Sequence, residues 1–213
     1  MSDQHIIASR KNDGVYIRVM QGHFVSSSCH LNHYVGTSDI KHNHNMSVKA
    51  AKIMADYYIT NGIKIDTVVC LYETQALGAY LAHELATPSM FSPNPECNIY
   101  VVGSEYDSTG NMIFRDNLKR MIAGKRVLLL ISCITSGKTV DKAIESVGYY
   151  GGKVVGISSA FSAVDQVAGI PVNTIFTKDD VPGYESYDSH DCPLCQANMP
   201  VDAVSNGYGY SKL

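Results

Sequence analysis

A short hydroxyl-rich segment, Thr135 to Thr139 with the sequence TSGKT, is well suited to bind an anion. It follows five consecutive apolar residues, Val127 to Ile131, which are typical of a strand covered on both faces. A helix-compatible segment begins at Val140. Where a strand runs into a helix, unpaired backbone N–H groups and the positive end of the helix dipole favour negative charge. The sequence therefore predicts a phosphate site at this turn.

Two alternatives to this interpretation remain open. The ending Gly137-Lys138-Thr139 matches the end of a P-loop, GxxxxGK[ST], and keeps an ATP-binding kinase or ATPase as one alternative. Ser132 stands where the first glycine of a P-loop belongs, which argues against it. In the other alternative the turn is purely structural, and Thr139 only caps the following helix.

A second set of residues with chemical potential is the pair Cys192 and Cys195, which have the CxxC spacing of half a zinc site. The sequence contains no second CxxC and no HxxxH to complete it. The remaining ligands would come from a distance, with four candidates: His190, Asp191, Cys29 and His30. A pair of free thiols, and a disulfide or redox pair, are the open alternatives.

Five histidines fall between His23 and His44, the others being His30, His33 and His42. No pair among them has the i, i+4 spacing of a helical metal-binding motif. The simplest interpretation is a set of exposed loop histidines.

Composition limits the function classes. With 213 residues, of which 45% are hydrophobic, the chain is long enough for one domain with a sizeable core. A net charge of −3 argues against sequence-independent nucleic-acid binding, and no apolar run approaches the ~20 residues that span a bilayer. The N-terminus lacks the pattern of a signal peptide, so we expect a cytoplasmic protein. Its other cysteines are then expected to be core thiols: Cys29, Cys70, Cys97 and Cys133.

The elements that would position these residues alternate between strand-like and helix-like segments beyond Ile65, a pattern typical of a parallel sheet flanked by helices. The predicted strands are Thr67 to Tyr72, Asn98 to Val102, Arg126 to Ile131, Lys153 to Ser158 and Val172 to Phe176. The predicted helices are Ser47 to Tyr58, Ala76 to Ala86 and Thr139 to Tyr149, with Ser47 as an N-cap. A hairpin or mobile loop is expected at Ser104 to Asn111.

The flanks do not follow this alternation. We predict a single domain over residues 1–213, with an N-terminal hood segment (1–45), an α/β core (46–180) and an irregular C-terminal tail (181–213) that contains the CPLC pair.

The strand and turn from Val127 to Thr139 resemble the hallmark of the type I phosphoribosyltransferases. That hallmark is a buried strand, an acidic pair and a Thr/Gly loop that holds the 5-phosphate of phosphoribosyl pyrophosphate. The resemblance implies the phosphoribosyltransferase-type fold, a Rossmann-like parallel sheet flanked by helices. It also implies that the phosphate contacts Thr135, Ser136, Gly137, Lys138 and Thr139, with Ser132 near the ribose.

Other segments resemble the orotate phosphoribosyltransferase branch: Gly22 to Val35, Asp66 to Ala86 and Gly124 to Arg126. This resemblance implies a pyrophosphate loop at Glu73, Thr74 and Gln75, and it places His30 and His33 beside the substrate base. It covers roughly Gly22 to Phe176, most of the chain.

Three departures from that branch concern its catalytic elements. Ile131 and Ser132 stand in place of the acidic pair, and the stretch Gly103 to Phe114 lacks the Lys and His that neutralise departing pyrophosphate. In the N-terminal signature, Ser27, Cys29 and Leu31 replace basic or small polar residues around a glycine.

The resemblance implies a protein of pyrimidine nucleotide metabolism that binds a 5-phosphoribosyl ligand, either phosphoribosyl pyrophosphate or a nucleotide. As an enzyme it would be a pentosyltransferase of the glycosyltransferase class, moving phosphoribose to a nitrogen base with Mg²⁺. The alternative is a non-catalytic module that senses a nucleotide or nucleobase on the same fold. A homodimer is implied, with no nucleic-acid or membrane partner.

Overall fold

The computed structural model describes residues 2–88, 93–94 and 98–213, so Cys97 lies outside the described residues. Its strands are β1 (His5–Ala8), β2 (Tyr16–Val25), β3 (His30–Gly36), β4 (Thr67–Cys70), β5 (Tyr100–Gly103), β6 (Glu105–Tyr106), β7 (Met112–Ile113), β8 (Arg126–Ile134), β9 (Lys153–Ser162), β10 (Gln166–Val167), β11 (Ile170–Thr177), β12 (Ser186–Tyr187), β13 (Ala203–Ser205) and β14 (Tyr210–Lys212). Its helices are α1 (Ser38–His42), α2 (His44–Thr60), α3 (Gln75–Ala86), α4 (Asp116–Lys119), α5 (Lys138–Tyr149) and α6 (Pro193–Gln196), with a 3₁₀ turn at Lys178–Asp180.

The central sheet has the strand order β10-β11-β9-β8-β4-β5, and all neighbours are parallel except β10 and β11. Its five parallel strands are the five that the sequence predicts. Along β8, Leu128 and Leu130 point into one core, and Leu129 and Ile131 into the other. This two-sided burial explains the unbroken apolar run, because both faces of the strand are covered. The predicted α/β fold is confirmed.

The three predicted helices are also present, as α2, α3 and α5. The prediction of Ser47 as an N-cap is wrong. Asn43 caps α2 instead, since its side chain accepts a hydrogen bond from the Met46 N–H at 3.1 Å. Ser47 lies one turn inside the helix, and its hydroxyl donates to the Ile40 carbonyl at 2.7 Å. The short helix α1 precedes α2, and this hydrogen bond connects the two helices.

A second sheet joins the two ends of the chain, in the order β12-β3-β2-β13-β14, and β1 pairs with the first half of β2. Strand β13 runs parallel to β2, pairing Ala203 with Phe24 and Val204 with Val25. The tail therefore contains more regular structure than its composition indicates. Backbone pairing with strands far away in sequence supplies this order, and single-sequence patterns do not reveal such pairing.

One hydrophobic core unites these parts. Ile17 of the hood segment, Tyr58 of α2, Leu128 of β8 and Ala203 of the tail belong to the same buried cluster. The second cluster lies under α5, whose Val140, Ala143 and Val147 form its buried stripe. Among the helices of the described part, none combines the length and the apolar composition that crossing a bilayer requires.

The stretch from Ser104 to Asn111 forms a hairpin, as predicted, with β6 and β7 as its arms. The Asp107 carboxylate accepts hydrogen bonds from the N–H groups of Thr109 and Asn111, at 2.8 and 2.9 Å, which holds the turn. Arg115, the first cation after the hairpin, forms an ion pair with Glu105 of β6.

Candidate functional site

A cleft of about 890 Å³, including its open mouth, lies where β8 ends and α5 begins. Three walls surround it: the turn between β2 and β3, the turn after β4 and the tail. Serine, threonine and tyrosine hydroxyls supply much of its surface. The polar and aromatic lining residues are Ser26, Ser27, Ser28, His33, Tyr34, Thr37, Ser38, Lys41, Tyr72, Ser132, Thr135, Ser136, Lys138, Thr139, Tyr184, Ser205, Asn206 and Tyr208.

The predicted phosphate turn forms the floor of this cleft, and all five of its residues, Thr135 to Thr139, line it. Gly137 is the N-cap residue of α5, with a left-handed φ of 80° that glycine adopts without strain. The first N–H groups of a helix have no partner within it, so those of α5 are available to an anion at this end. Ser132, predicted near the ribose, is buried on the last part of β8 and also lines the cleft.

The hood turn from Ser26 to Cys29 faces the phosphate turn. The Ser26 hydroxyl donates to the Cys29 carbonyl at 2.9 Å and accepts from the Cys29 N–H at 3.1 Å, which closes the turn on itself. The Cys29 thiol reaches Thr135 Oγ1 at 3.6 Å across the cleft wall. This contact holds the hood turn beside the phosphate turn, although the two are distant in sequence.

The turn after β4 contains the predicted pyrophosphate loop. Tyr72 and Glu73 both have left-handed backbones, with φ of 51° and 61°, a strained arrangement of two successive non-glycine residues. Thr74 is fully buried, and its hydroxyl lies 2.9 Å from the Leu71 carbonyl and 3.1 Å from the Leu130 carbonyl. The Thr74 side chain therefore stabilises the turn and is not available to a ligand. Glu73 and Gln75 are exposed, and Tyr72 is the residue of this turn that lines the cleft.

Lys41 of α1 is a buried cation in the cleft wall that no sequence pattern indicates. It is 1% exposed, and its ammonium group donates to the carbonyls of Gly207 at 3.1 Å and Tyr72 at 3.4 Å. Burial lowers the pKa of Lys41, and the charge of nearby Glu73 opposes that shift. Helix α1 is one short turn that hydrophobic periodicity does not identify.

The tail closes one end of the cleft with the turn from Ser205 to Gly209. Gly207 lies flat against the Tyr72 ring, where an added Cβ would be only 2.2 Å from a ring carbon. The Tyr208 ring meets Tyr72 edge-on, with centroids 5.3 Å apart, and Tyr106 of the hairpin stacks on its other side at 5.9 Å. Tyr72 is therefore enclosed by the tail and the hairpin.

His33 and Tyr184 form the opposite end of the cleft, with their rings stacked at a centroid distance of 6.4 Å. His33 Nδ1 lies 2.8 Å from the side-chain oxygen of Asn32, and burial lowers the pKa of His33. The buried Tyr184 hydroxyl has no hydrogen-bond partner among the described residues. Burial also raises the pKa of this phenol, which stays a neutral donor. Of the two predicted base-proximal histidines, His33 lines the cleft and His30 does not.

The lining residues of the described part include no Asp or Glu; Lys41 and Lys138 are its charged members. Carboxylates are the side chains that Mg²⁺ ordinarily requires from a protein. The donor set therefore does not fit a protein-held magnesium ion, and it does fit a phosphate.

The two cysteines of the CPLC motif lie outside the cleft, beside His23 and His30. Of the four distant ligands considered from sequence, His30 is in this cluster, whereas Cys29, His190 and Asp191 are not. His23, the fourth member, is fully buried on β2, and His33 is 7% exposed on β3. The expectation of exposed loop histidines is wrong for both, because β2 and β3 turn alternate side chains inward. The sequence pattern that indicates these strands is the alternation of apolar and polar residues on both sides of the serine-rich turn.

Comparison with models of known protein families gives no match. Among curated proteins, the chain is 27% identical over 187 residues to the orotate phosphoribosyltransferase of Caldicellulosiruptor saccharolyticus, covering 86% of this chain and 87% of that protein. Among solved structures, it is similar to Mycobacterium tuberculosis orotate phosphoribosyltransferase in complex with Fe(III) dicitrate, with a TM-score of 0.53 and 18% identity over 77% of this chain and 91% of that one.

The same mycobacterial enzyme in complex with phosphoribosyl pyrophosphate aligns with a TM-score of 0.50 and 17% identity, over 70% of this chain and 82% of that one. Both comparisons find orotate phosphoribosyltransferases. The chain resembles the orotate phosphoribosyltransferases over most of its length and has the type I phosphoribosyltransferase fold.

Proposed function

We propose that the cleft binds a 5-phosphorylated ribose compound, a nucleotide or phosphoribosyl pyrophosphate, with the 5-phosphate in the turn from Thr135 to Thr139. The observation that carries this proposal is the start of α5 at Gly137, with hydroxyl groups and Lys138 around it and no carboxylate in the lining of the described part. Backbone N–H groups, the helix dipole and a cation all favour a phosphate at one point.

The rest of the cleft suits the rest of such a ligand. Ser132, two residues inside the end of β8, offers its hydroxyl to the ribose. His33 and Tyr184 offer a stacked pair of rings that suits a planar base. The Tyr184 hydroxyl has no exposed surface in the free protein, so it becomes a donor to the base when the side chain turns toward the cleft. An unpartnered buried hydroxyl costs free energy in the free protein, and a ligand that accepts its hydrogen bond removes that cost.

Binding without transfer is favoured by the pyrophosphate end of the cleft. Transfer passes through an oxocarbenium-like transition state, and an enzyme accelerates it by holding the phosphates and neutralising the departing pyrophosphate. Here Gly207 covers Tyr72, and the Lys41 ammonium is already bonded to two backbone carbonyls. Arg115, next to the hairpin, is paired with Glu105. A nucleotide-binding or nucleotide-sensing protein accounts for these features.

Phosphoribosyl transfer to a nitrogen base in pyrimidine biosynthesis is the second candidate. It is supported by the orotate phosphoribosyltransferases that the chain resembles, which align over nearly their whole length. The cytoplasmic location that we expect and the homodimer that the resemblance implies belong to this proposal as well. Light scattering during gel filtration measures the oligomeric state directly.

Isothermal titration with phosphoribosyl pyrophosphate, orotidine monophosphate and ATP, each with and without Mg²⁺, tests the proposal. Binding of a ribose 5-phosphate compound is expected, unaffected by Mg²⁺ for the monophosphate. A parallel assay for pyrophosphate release with orotate separates the two candidates, since a sensor binds without release. Binding of ATP, with no binding of orotidine monophosphate or phosphoribosyl pyrophosphate, would contradict both candidates and favour the P-loop alternative, because a site for the 5-phosphate of ribose should also accept these two ligands.

A further inference from the structure

We propose that His23, His30, Cys192 and Cys195 bind a structural Zn²⁺ ion, which fastens the tail to the hood sheet. The proposal does not depend on the proposed function of the cleft. The four side chains come from two places: strands β2 and β3 supply the histidines, and the N-cap residue and third residue of α6 supply the cysteines.

The ligand atoms of these side chains converge on a single point, all within 4.8 Å of one another. His23 Nε2 lies 3.8 Å from Cys192 Sγ, 3.7 Å from Cys195 Sγ and 3.1 Å from His30 Nδ1, and His30 Nδ1 lies 3.3 Å from Cys195 Sγ. Tetrahedral zinc with ordinary bond lengths places two nitrogens about 3.3 Å apart and a nitrogen and a sulfur about 3.6 Å apart. The observed separations match those of a tetrahedral site.

The surroundings of His23 hold it in the state that a metal ligand requires. While Nε2 faces the cluster, Nδ1 lies 3.0 Å from the Met199 carbonyl, which fixes the proton on Nδ1 and leaves Nε2 free to bind. The His23 backbone is also anchored: its N–H donates to the Asp202 carboxylate and its carbonyl accepts from the Asp202 N–H, both at 2.8 Å. Supporting contacts of this kind orient metal-binding histidines.

The chemistry of the donor set selects zinc and a structural role. Two thiolates and two imidazoles in a tetrahedron are the ligand set of structural zinc, whereas catalytic zinc keeps one position for water or substrate. Here the protein fills all four positions. His23 and Cys192 are fully or almost fully buried, and Cys195 is at the surface, so one edge of the cluster is open for metal entry.

The consequence for the fold follows from sequence separation. Cys195 lies 165 residues from His30, so the metal closes a long loop and constrains the unfolded chain. The CPLC motif also precedes β13 and the turn that closes the cleft. Zinc therefore holds two segments of the cleft in place. One is the tail, whose Gly207 covers Tyr72, and the other is the hood turn, whose Cys29 contacts Thr135.

Metal analysis of the full chain tests the proposal, after expression in zinc-supplemented medium and purification with no chelator and no polyhistidine tag. About one equivalent of zinc per chain is expected. Cys195→Ser, at an exposed position, and His23→Gln should lose it, while the control His190→Gln, an exposed histidine outside the cluster, should retain it. Less than about a tenth of an equivalent in the wild type, or full zinc in Cys195→Ser, overturns the proposal.

A second measurement does not depend on variants that fold. Wild-type protein stripped by chelator and reloaded with Co²⁺ should show the intense visible bands and thiolate charge-transfer absorption of tetrahedral coordination, and zinc should displace them. An octahedral cobalt spectrum overturns the proposal. So does a Cys192–Cys195 disulfide, detected by mass spectrometry in protein purified without exposure to oxidant, because a disulfide cannot supply thiolates.

Discussion

The Lys41 ammonium group and the Gly207 carbonyl are 3.1 Å apart, and this hydrogen bond joins the first helix to the turn that closes the cleft. Its second acceptor, the Tyr72 carbonyl, belongs to the strained turn after β4. One buried cation thus connects two cleft walls that are distant in sequence, the tail and the turn after β4.

Replacing Lys41 with Met should weaken binding of a nucleoside monophosphate about tenfold, because its positive charge in the cleft lining attracts the phosphate through space even though the ammonium group donates to two carbonyls. Affinity for the uncharged nucleoside should be unchanged. Isothermal titration of both ligands measures the difference. The control is Lys52→Met on the exposed side of α2, which should bind both ligands as the wild type does. Equal loss for nucleoside and nucleotide would contradict a charge effect.

Gly137→Ala should reduce phosphate binding about tenfold or more, since a Cβ at φ 80° strains the start of α5 and changes how its N–H groups are presented. The new Cβ would also lie 3.0 Å from Val167. Gly62→Ala is a matched control, because Gly62 has φ 64° and open space around it. Both variants should lose about 1 kcal/mol of unfolding free energy, measured in urea, and only Gly137→Ala should lose affinity.

Tyr184→Phe should separate recognition of the base from recognition of the phosphate. The hydroxyl has no partner among the described residues, so its removal should leave the free protein equally stable or more stable, by up to about 1 kcal/mol. Nucleotide affinity should fall, while affinity for ribose 5-phosphate stays constant. Tyr187→Phe on β12, outside the cleft lining, serves as the control. A parallel loss for both ligands would assign Tyr184 to packing alone.

Gly207→Ala should loosen the tail, because its Cβ would overlap the Tyr72 ring. We expect faster amide hydrogen exchange over residues 203–212 and a loss of about 1–3 kcal/mol of unfolding free energy. Gly148→Ala is the control, since Gly148 lies in α5 with nothing near it, and alanine there should stabilise by about 0.5–1 kcal/mol. Unchanged exchange in the tail would show that the contact with Tyr72 does not hold it.

The ion pair of Asp66 and Arg126 predicts a pH dependence of stability. Hydrogen bonds from the Arg126 guanidinium lower the pKa of Asp66 to about 2, so the folded state favours the carboxylate. Its contribution is therefore complete above the ordinary pKa near 3.8 and is lost as pH falls toward 2. Asp66→Asn should cost about 0.5–1.5 kcal/mol in urea unfolding at pH 7, and the difference from wild type should shrink between pH 4 and 2. The control is Asp116→Asn, whose carboxylate is exposed beside Lys119, and this variant should unfold as the wild type does at every pH.

The parts of the molecule that the sequence predicts are those in which neighbours along the chain determine the structure. The apolar runs predict the five parallel strands, and the hydroxyl-rich junction after Ile134 predicts the turn that lines the cleft. Lys41, Tyr184 and the tail turn could not be predicted, because their role depends on pairing between β2, β3 and β13 across most of the chain. Ser47 illustrates the local limit: Asn43 and Ser47 are both good capping residues, and tertiary packing of α1 decides between them.

The pairing of β13 with β2 also bears on the order in which the molecule is assembled. The strands of the central sheet are all synthesised before residue 178. The turn that closes the cleft comes after residue 204, and β13, which leads into that turn, pairs with β2 near residue 24. Contacts of such long range form slowly and late. A nascent chain that has completed its parallel sheet therefore still lacks this wall of the cleft.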